Sequence, residues 1–191
     1  SEAQDLEPIL QAFDRLSELD EDNLLAIATD PDYQAASAEE AAAIEALSGV
    51  MSDHTAIFDF DDTLKMMDEN GKPYVSEDGT EVVAMTELMG ANIGVASASN
   101  AYDYMRKTLV NDVAPGIFTE EMMESDRVHS GSRNKEPMLN TILDTFDADA
   151  DRATLFDDSM ENLQHAEATG VEFNQVNGDT GMVIADLRGW L

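Results

Sequence analysis

The chain has 191 residues, 43% of them hydrophobic and none of them cysteine, which predicts one domain with a full core and excludes disulfides, a thiolate nucleophile and a zinc–thiolate site. Ten lysines and arginines face 41 aspartates and glutamates, for a formal net charge of -31, a surface that repels nucleic-acid backbones and anionic membranes. The acids are spread through the chain and arginine outnumbers lysine six to four, which fits a solubility device for a high-salt cytoplasm better than a patch for a basic partner.

No apolar run reaches membrane-spanning length, and Ser1-Glu2-Ala3-Gln4-Asp5 has neither the basic nor the apolar segment of a secretion signal. A cytoplasmic protein without membrane contact is expected. Leu6, Ile9, Leu10, Phe13 and Leu16 recur at spacings of three and four, the stripe of an amphipathic helix. Leu24, Leu25 and Ile27 predict a short second helix closed near Asp30-Pro31, because the residue before a proline avoids the helical region. Ser37 is placed to cap a third helix through Ala41 and Leu47, ended by Gly49. These helices hold no cluster of convergent polar residues, so residues 1–50 are expected to be a helical extension packed on a catalytic domain of residues 51–191.

The chain is organised around Ala56-Ile57-Phe58-Asp59-Phe60-Asp61-Asp62-Thr63-Leu64. A buried strand running into carboxylates places them at the carboxyl end of a sheet, where open α/β folds keep their sites. Asp59 at the strand end and Asp61 in the following turn can converge on one substrate if a metal screens their repulsion; an Asp-Asp-Thr turn is the structural alternative. Asn70-Gly71 then signals a hairpin over Lys65 to Val75, and Thr80 is placed to cap a helix through Met89.

Ala91 to Asn100 reads as a second buried strand ending in hydroxyls, with Ser97 able to donate to a phosphoryl oxygen or merely to cap. Tyr102, Met105, Leu109 and Val110 trace a helix that leaves at Pro115-Gly116. Residues Phe118 to Arg133 show no period and are expected to be a loop facing substrate or a plain connector, with Arg127, His129 and Arg133 as peripheral substrate contacts. Asn134-Lys135-Glu136-Pro137 opens the next helix. A lysine there is disfavoured by the helix dipole and needs a carboxylate or a phosphate as its reason. Ala153 to Asp157 is a third strand ending in acids, and Asp157, Asp158 and Asn162 offer hard oxygen ligands suited to Mg²⁺. His165 follows three residues beyond Asn162, a spacing that allows it to face the site, but a solvated helical histidine is the expectation. Val171 to Val176 reads as a last strand, and Asp179 to Leu191 as a helix anchored by Trp190.

These four stretches, in this order, resemble motifs I to IV of the haloacid dehalogenase-like superfamily, most of whose members are Mg²⁺-dependent phosphohydrolases. The resemblance covers about residues 54 to 177. It implies an α/β fold with a Rossmann-like open parallel sheet and helices on both faces. Asp59 would be the nucleophile that becomes an aspartyl-phosphate, and Asp61 the acid and base. Ser97, Lys135 and Thr63 would hold phosphoryl oxygens. Mg²⁺ would be bound by Asp59, the backbone carbonyl of Asp61 and Asp158. Asp157 would be a further ligand or a support, and Asn162, where many relatives carry another acid, would position them. Dehalogenases lack the second acid found here at Asp61. Only 38 positions separate Asp59 from Ser97, and 38 separate Ser97 from Lys135. There is no room for a large inserted cap, so the chain resembles the capless type with an open pocket. The implied substrate is a phosphorylated protein, phosphotyrosine among them, or another extended ester. A small metabolite would fit if the N-terminal helices or a second subunit roofed the site. The non-enzymatic alternative is an acidic module that binds a basic partner.

Overall fold

The computed structural model describes residues 2–191, with side chains from residue 5 onward. The three N-terminal helices form as the periodicity requires: α1 (Glu2–Ser17), α2 (Glu21–Thr29) and α3 (Ala38–Leu47). The Ser37 hydroxyl accepts the Glu40 amide and caps α3. α1 packs on α3, and their apolar residues Phe13, Leu16 and Leu47 join the same buried cluster as the sheet residues Phe58 and Phe156.

Five parallel strands form the sheet: β1 (Thr55–Phe58), then, past a hairpin of β2 (Lys65–Met67) and β3 (Pro73–Val75), β4 (Asn92–Ala96), β5 (Val128–His129), β6 (Ala153–Asp157) and β7 (Glu172–Gln175). Their order is β5-β4-β1-β6-β7, with the hairpin as a separate two-stranded sheet. β1 lies in the middle, hydrogen-bonded to β4 and β6. Because strand side chains alternate, Ala56 and Phe58 enter one helical layer while Ile57 enters the other. The first layer holds α4 (Gly79–Leu88), α5 (Tyr102–Thr108) with a π-helical turn over Leu109–Val113, and α6 (Glu120–Met123). The second holds α7 (Glu136–Phe146) and α8 (Leu163–Thr169). α9 (Ile184–Trp190) closes the chain on the first layer. A Cβ at Gly94 would come within 2.8 Å of Ile142 Cγ2 and 3.2 Å of the Arg127 carbonyl. Only glycine lets α7 lie this close to β4. The fold is thus a Rossmann-like parallel sheet covered on both faces, as expected. Among the described residues no helix is long and apolar enough to cross a membrane.

Three local expectations are corrected. Thr80 does not cap α4, which starts at Gly79; the preceding Asp78 gives its carboxylate to the Ile184 amide at the start of α9 instead. Residues 118–133 are not a plain loop. Phe118, Met122, Met123 and Val128 are buried, α6 is capped by Thr119, and Val128–His129 is an edge strand too short to show alternation. The terminal helix is shorter than expected, beginning at Ile184. Trp190 does anchor it, donating to Thr154 Oγ1 at 3.0 Å and standing edge-on to Phe156.

Candidate active site

The parallel register carries the acids of β1 and β6 to one end of the sheet. Phe58 pairs with Phe156, so Asp59 and Asp157 leave neighbouring strands at the same level. The Asp59 amide still donates to the Phe156 carbonyl at 2.9 Å, which fixes its backbone as an extension of the sheet. Asp59, Asp157 and Asp158 each place a carboxylate oxygen within 4.8 Å of the others.

Lys135 enters this cluster from the start of α7. Its ammonium is 2.9 Å from Asp59 Oδ1 and 2.6 Å from Asp157 Oδ2, and the residue is only 1% exposed. A lysine that the helix dipole disfavours is therefore held by two carboxylates. Asp157 is fully engaged: Asn162 Nδ2 donates to Oδ2 at 2.8 Å and the Ser159 amide to Oδ1 at 2.9 Å. His165 Nδ1 lies 3.0 Å from Asn162 Oδ1. His165 is therefore half-buried and tied to the site through Asn162, not a solvated helical residue. The chain His165–Asn162–Asp157–Lys135–Asp59 is continuous, and a histidine three residues beyond a buried Asn was the signal for its outer end.

The electrostatics follow from two buried acids sharing one bonded cation, with a third acid, Asp158, close by. Burial pushes the Asp59 carboxyl well above its ordinary value; Lys135 opposes this and Asp157 adds to it. Burial alone would pull the Lys135 ammonium down, but Asp59 and Asp157 outweigh it and hold it above its usual range. Partial burial, with the charges of Asp158 and Asp61, also pushes Asp62 up.

A cavity of about 270 Å³ opens over the cluster, lined by Asp59, Asp61, Asp62, Lys135 and Asp158 among others. Arg133 lines it too, whereas Arg127 does not. Its guanidinium stacks 5.0 Å over the Phe146 ring, away from this cavity. His129 is also absent from the lining and contacts the Asp126 carbonyl. Of the three basic residues read as peripheral contacts, only Arg133 is placed for it, because Arg127 precedes a strand whose far end faces the site. Among the described residues none before residue 51 lines the cavity, so the described part of the N-terminal helices does not roof it.

Thr63 is buried and its hydroxyl reaches Asp59 Oδ2 at 3.4 Å. Ser97 is buried at the end of β4, where its Oγ accepts the Ser99 amide at 3.0 Å; Ala98, not Ser97, lines the cavity. Asp61 sits at the mouth, paired with Lys65 at 2.7 Å. Neither Lys65 nor Asp62 was singled out from the sequence. Asp62 has a φ of 59°, a left-handed conformation that Asp tolerates better than most residues and that turns the chain back toward Lys65.

The cluster has the chemistry of a hard-cation site. Three carboxylates within 4.8 Å carry more negative charge than one ammonium offsets, and all available donors are oxygens. Asp59 and Asp158 have oxygens free of Lys135 to offer it.

No family model matches this chain, and no curated protein does. Among solved structures, an uncharacterized protein from Listeria monocytogenes serotype 4b is similar in fold, at a TM-score of 0.52 and 10% identity over 68% of this chain and 82% of that one. A Streptomyces avermitilis MA-4680 protein provisionally described as a HAD family hydrolase is 16% identical over 75% of this chain and 81% of its own, at a TM-score of 0.45. A Vibrio cholerae protein provisionally described as a 3-deoxy-D-manno-octulosonate 8-phosphate phosphatase is 11% identical over 74% and 83%, at 0.42. The first is a likeness of fold alone.

Proposed function

We propose that this chain is a Mg²⁺-dependent phosphomonoester hydrolase of the haloacid dehalogenase-like type, acting through an aspartyl-phosphate on Asp59. The observation that carries it is the convergence of Asp59, Asp157 and Asp158 beside the buried ammonium of Lys135, at the floor of a cavity. Asp59, Asp158 and the Asp61 carbonyl would hold the cation, with Asp157 supporting through its bonds to Lys135 and Asn162. Mg²⁺ there would offset charge on the transferring phosphoryl group.

The chain's own groups suffice for the remaining steps. Thr63 and Lys135 fix the Asp59 carboxylate, and Oδ2, the oxygen that Lys135 does not hold, bonds to phosphorus as the bond to the leaving oxygen breaks. Asp61 delivers a proton to that oxygen. It then takes one from the water that attacks phosphorus, and the bond to Asp59 breaks to release phosphate and restore the carboxylate. The Lys135 ammonium offsets the accumulating charge. The Ser97 hydroxyl donates to no acceptor among the described residues, but it lies beneath the cavity wall at Ala98, so it would serve a phosphoryl oxygen only where substrate reaches past Ala98.

The mouth favours an extended aryl or apolar ester such as phosphotyrosine in a protein. The segment after Asp59 is only a hairpin and a helix. Met67, Tyr104 and Met160 are exposed; Tyr104 faces Lys65, the partner of Asp61, and Met160 stands between the lining residues Ser159 and Glu161. Hydrolysis of p-nitrophenyl phosphate and a phosphotyrosine peptide, with and without Mg²⁺ at low and molar salt, tests this beside Asp59→Asn. Turnover that needs both the metal and Asp59 is expected, with preference for the peptide. Preference for small esters would move the substrate to a metabolite. Metal binding without turnover across a broad phosphoester panel would favour a binding module.

A further inference from the structure

We infer that Lys65 is a positioning residue that fixes the Asp61 carboxylate for its proton transfers. Lysine heads ordinarily reach for water while their stems lie along the surface. Lys65 does the opposite. It is 8% exposed, and its ammonium is 2.7 Å from Asp61 Oδ1. The same ammonium lies 5.9 Å from the ring centroids of both Phe60 and Tyr104, which stand edge to face at 6.3 Å. Two aromatic faces and one carboxylate thus enclose the charge, an arrangement that favours the cation where it sits.

The backbone enforces the pairing. The Phe60 carbonyl accepts the amides of Thr63, Leu64 and Lys65, and the Asp62 amide donates to the Lys65 carbonyl at 2.8 Å. The turn therefore closes Asp61 against the first residue of β2, and the hairpin anchors that residue through its pairing with Val75. Asp61 Oδ1 is held while Oδ2 makes no hydrogen bond among the described residues, and the side chain is 44% exposed at the cavity. A carboxylate tethered by one oxygen presents the other in a defined direction, which is what proton delivery to a leaving group requires. Lys65 touches no reacting atom; it acts through Asp61.

This inference rests on the hydrolase reading with Asp61 as acid and base. Its test is the dependence on leaving group. p-Nitrophenolate departs without a proton, whereas an alkoxide needs one. With Mg²⁺ saturating, kcat/KM is measured for p-nitrophenyl phosphate and for glycerol 2-phosphate on wild type, Lys65→Met, Lys65→Arg and Asp61→Asn. Lys65→Met is expected to lose about tenfold more on the alkyl than on the aryl ester, a part of the 10²- to 10⁴-fold that general acid–base catalysis contributes. Asp61→Asn shows the same bias in larger form, and Lys65→Arg recovers most of the alkyl rate. A loss equal on both esters means a merely structural lysine and overturns the inference, as does a Lys65→Met enzyme as fast as wild type. Should Lys65→Met not fold, Lys65→Gln carries the same comparison. A wild type that turns over neither ester, nor the phosphotyrosine peptide or any other member of the phosphoester panel, overturns the hydrolase reading itself, and with it this role.

Discussion

Two aspartates of this chain each face a cation across a well-formed ion pair, and their energetics are opposite. Asp14 on α1 meets Arg188 on α9 through two bonds of 2.7 and 3.1 Å, with both side chains about half exposed. The guanidinium holds the Asp14 carboxyl below its ordinary 3.8. Asp59 meets Lys135 at a similar 2.9 Å, yet its carboxyl is pushed up. Geometry does not distinguish the two pairs; burial does. Water solvates the surface pair already, so it acts as a tether between α1 and α9. The interior cluster keeps charge that one ammonium cannot offset, and it is ready for a cation.

The contrast can be broken at its strongest point first. Asp59→Asn is expected to cut turnover by about 10⁶-fold, on the order of what loss of a nucleophile costs. The same change raises the thermal midpoint of the metal-free protein, because a buried charge is gone. Lys135→Met does the reverse for stability. It leaves two buried acids, Asp59 and Asp157, without their cation and is expected to cost about 3–5 kcal/mol in denaturant unfolding of the metal-free protein, partly recovered by Mg²⁺. Asn162→Ala removes the donor to Asp157 and the partner of His165, at about 1–3 kcal/mol.

A smaller effect separates the two regions by pH. Burial, the largest cause in each case, raises Asp59 and Asp62 above 3.8 and Glu87 above 4.5. A carboxyl raised in the folded state contributes stability that is complete below its ordinary value and is lost as pH climbs through the raised one. Metal-free protein should therefore melt higher as pH falls from neutral toward about 5, and Mg²⁺ should flatten that slope. Asp14 works the other way: its contribution is present above 3.8 and is lost as pH drops through its lowered value. The smallest effect is Arg188→Ala, expected to leave the denaturation midpoint close to wild type. What shift it gives should fade in molar salt, where the screening length shrinks to about 3 Å. A midpoint drop matching that of Lys135→Met would remove the distinction.

What the chain shows without its fold is whatever short-range pattern encodes. Ala56-Ile57-Phe58 before Asp59 and Thr154-Leu155-Phe156 before Asp157 are apolar runs stopped by acids, so both strands and the end of the sheet that bears the site could be read directly. Ser37 as a cap, Asn70-Gly71 as a turn and Lys135 as a lysine in want of a carboxylate belong to the same local grammar. Tertiary structure alone decided the rest. Two residues of β5 are too few for a period, and Arg127 needed the sheet to show which end of β5 it occupies. His165 joined the site only because Asn162 was turned inward by Asp157. Lys65 became the clamp of Asp61 because Phe60 and Tyr104, far apart in the chain, enclose its ammonium. Periodicity reports which way a side chain points relative to its own backbone. Which distant charge it meets, and whether water remains between them, is set by packing.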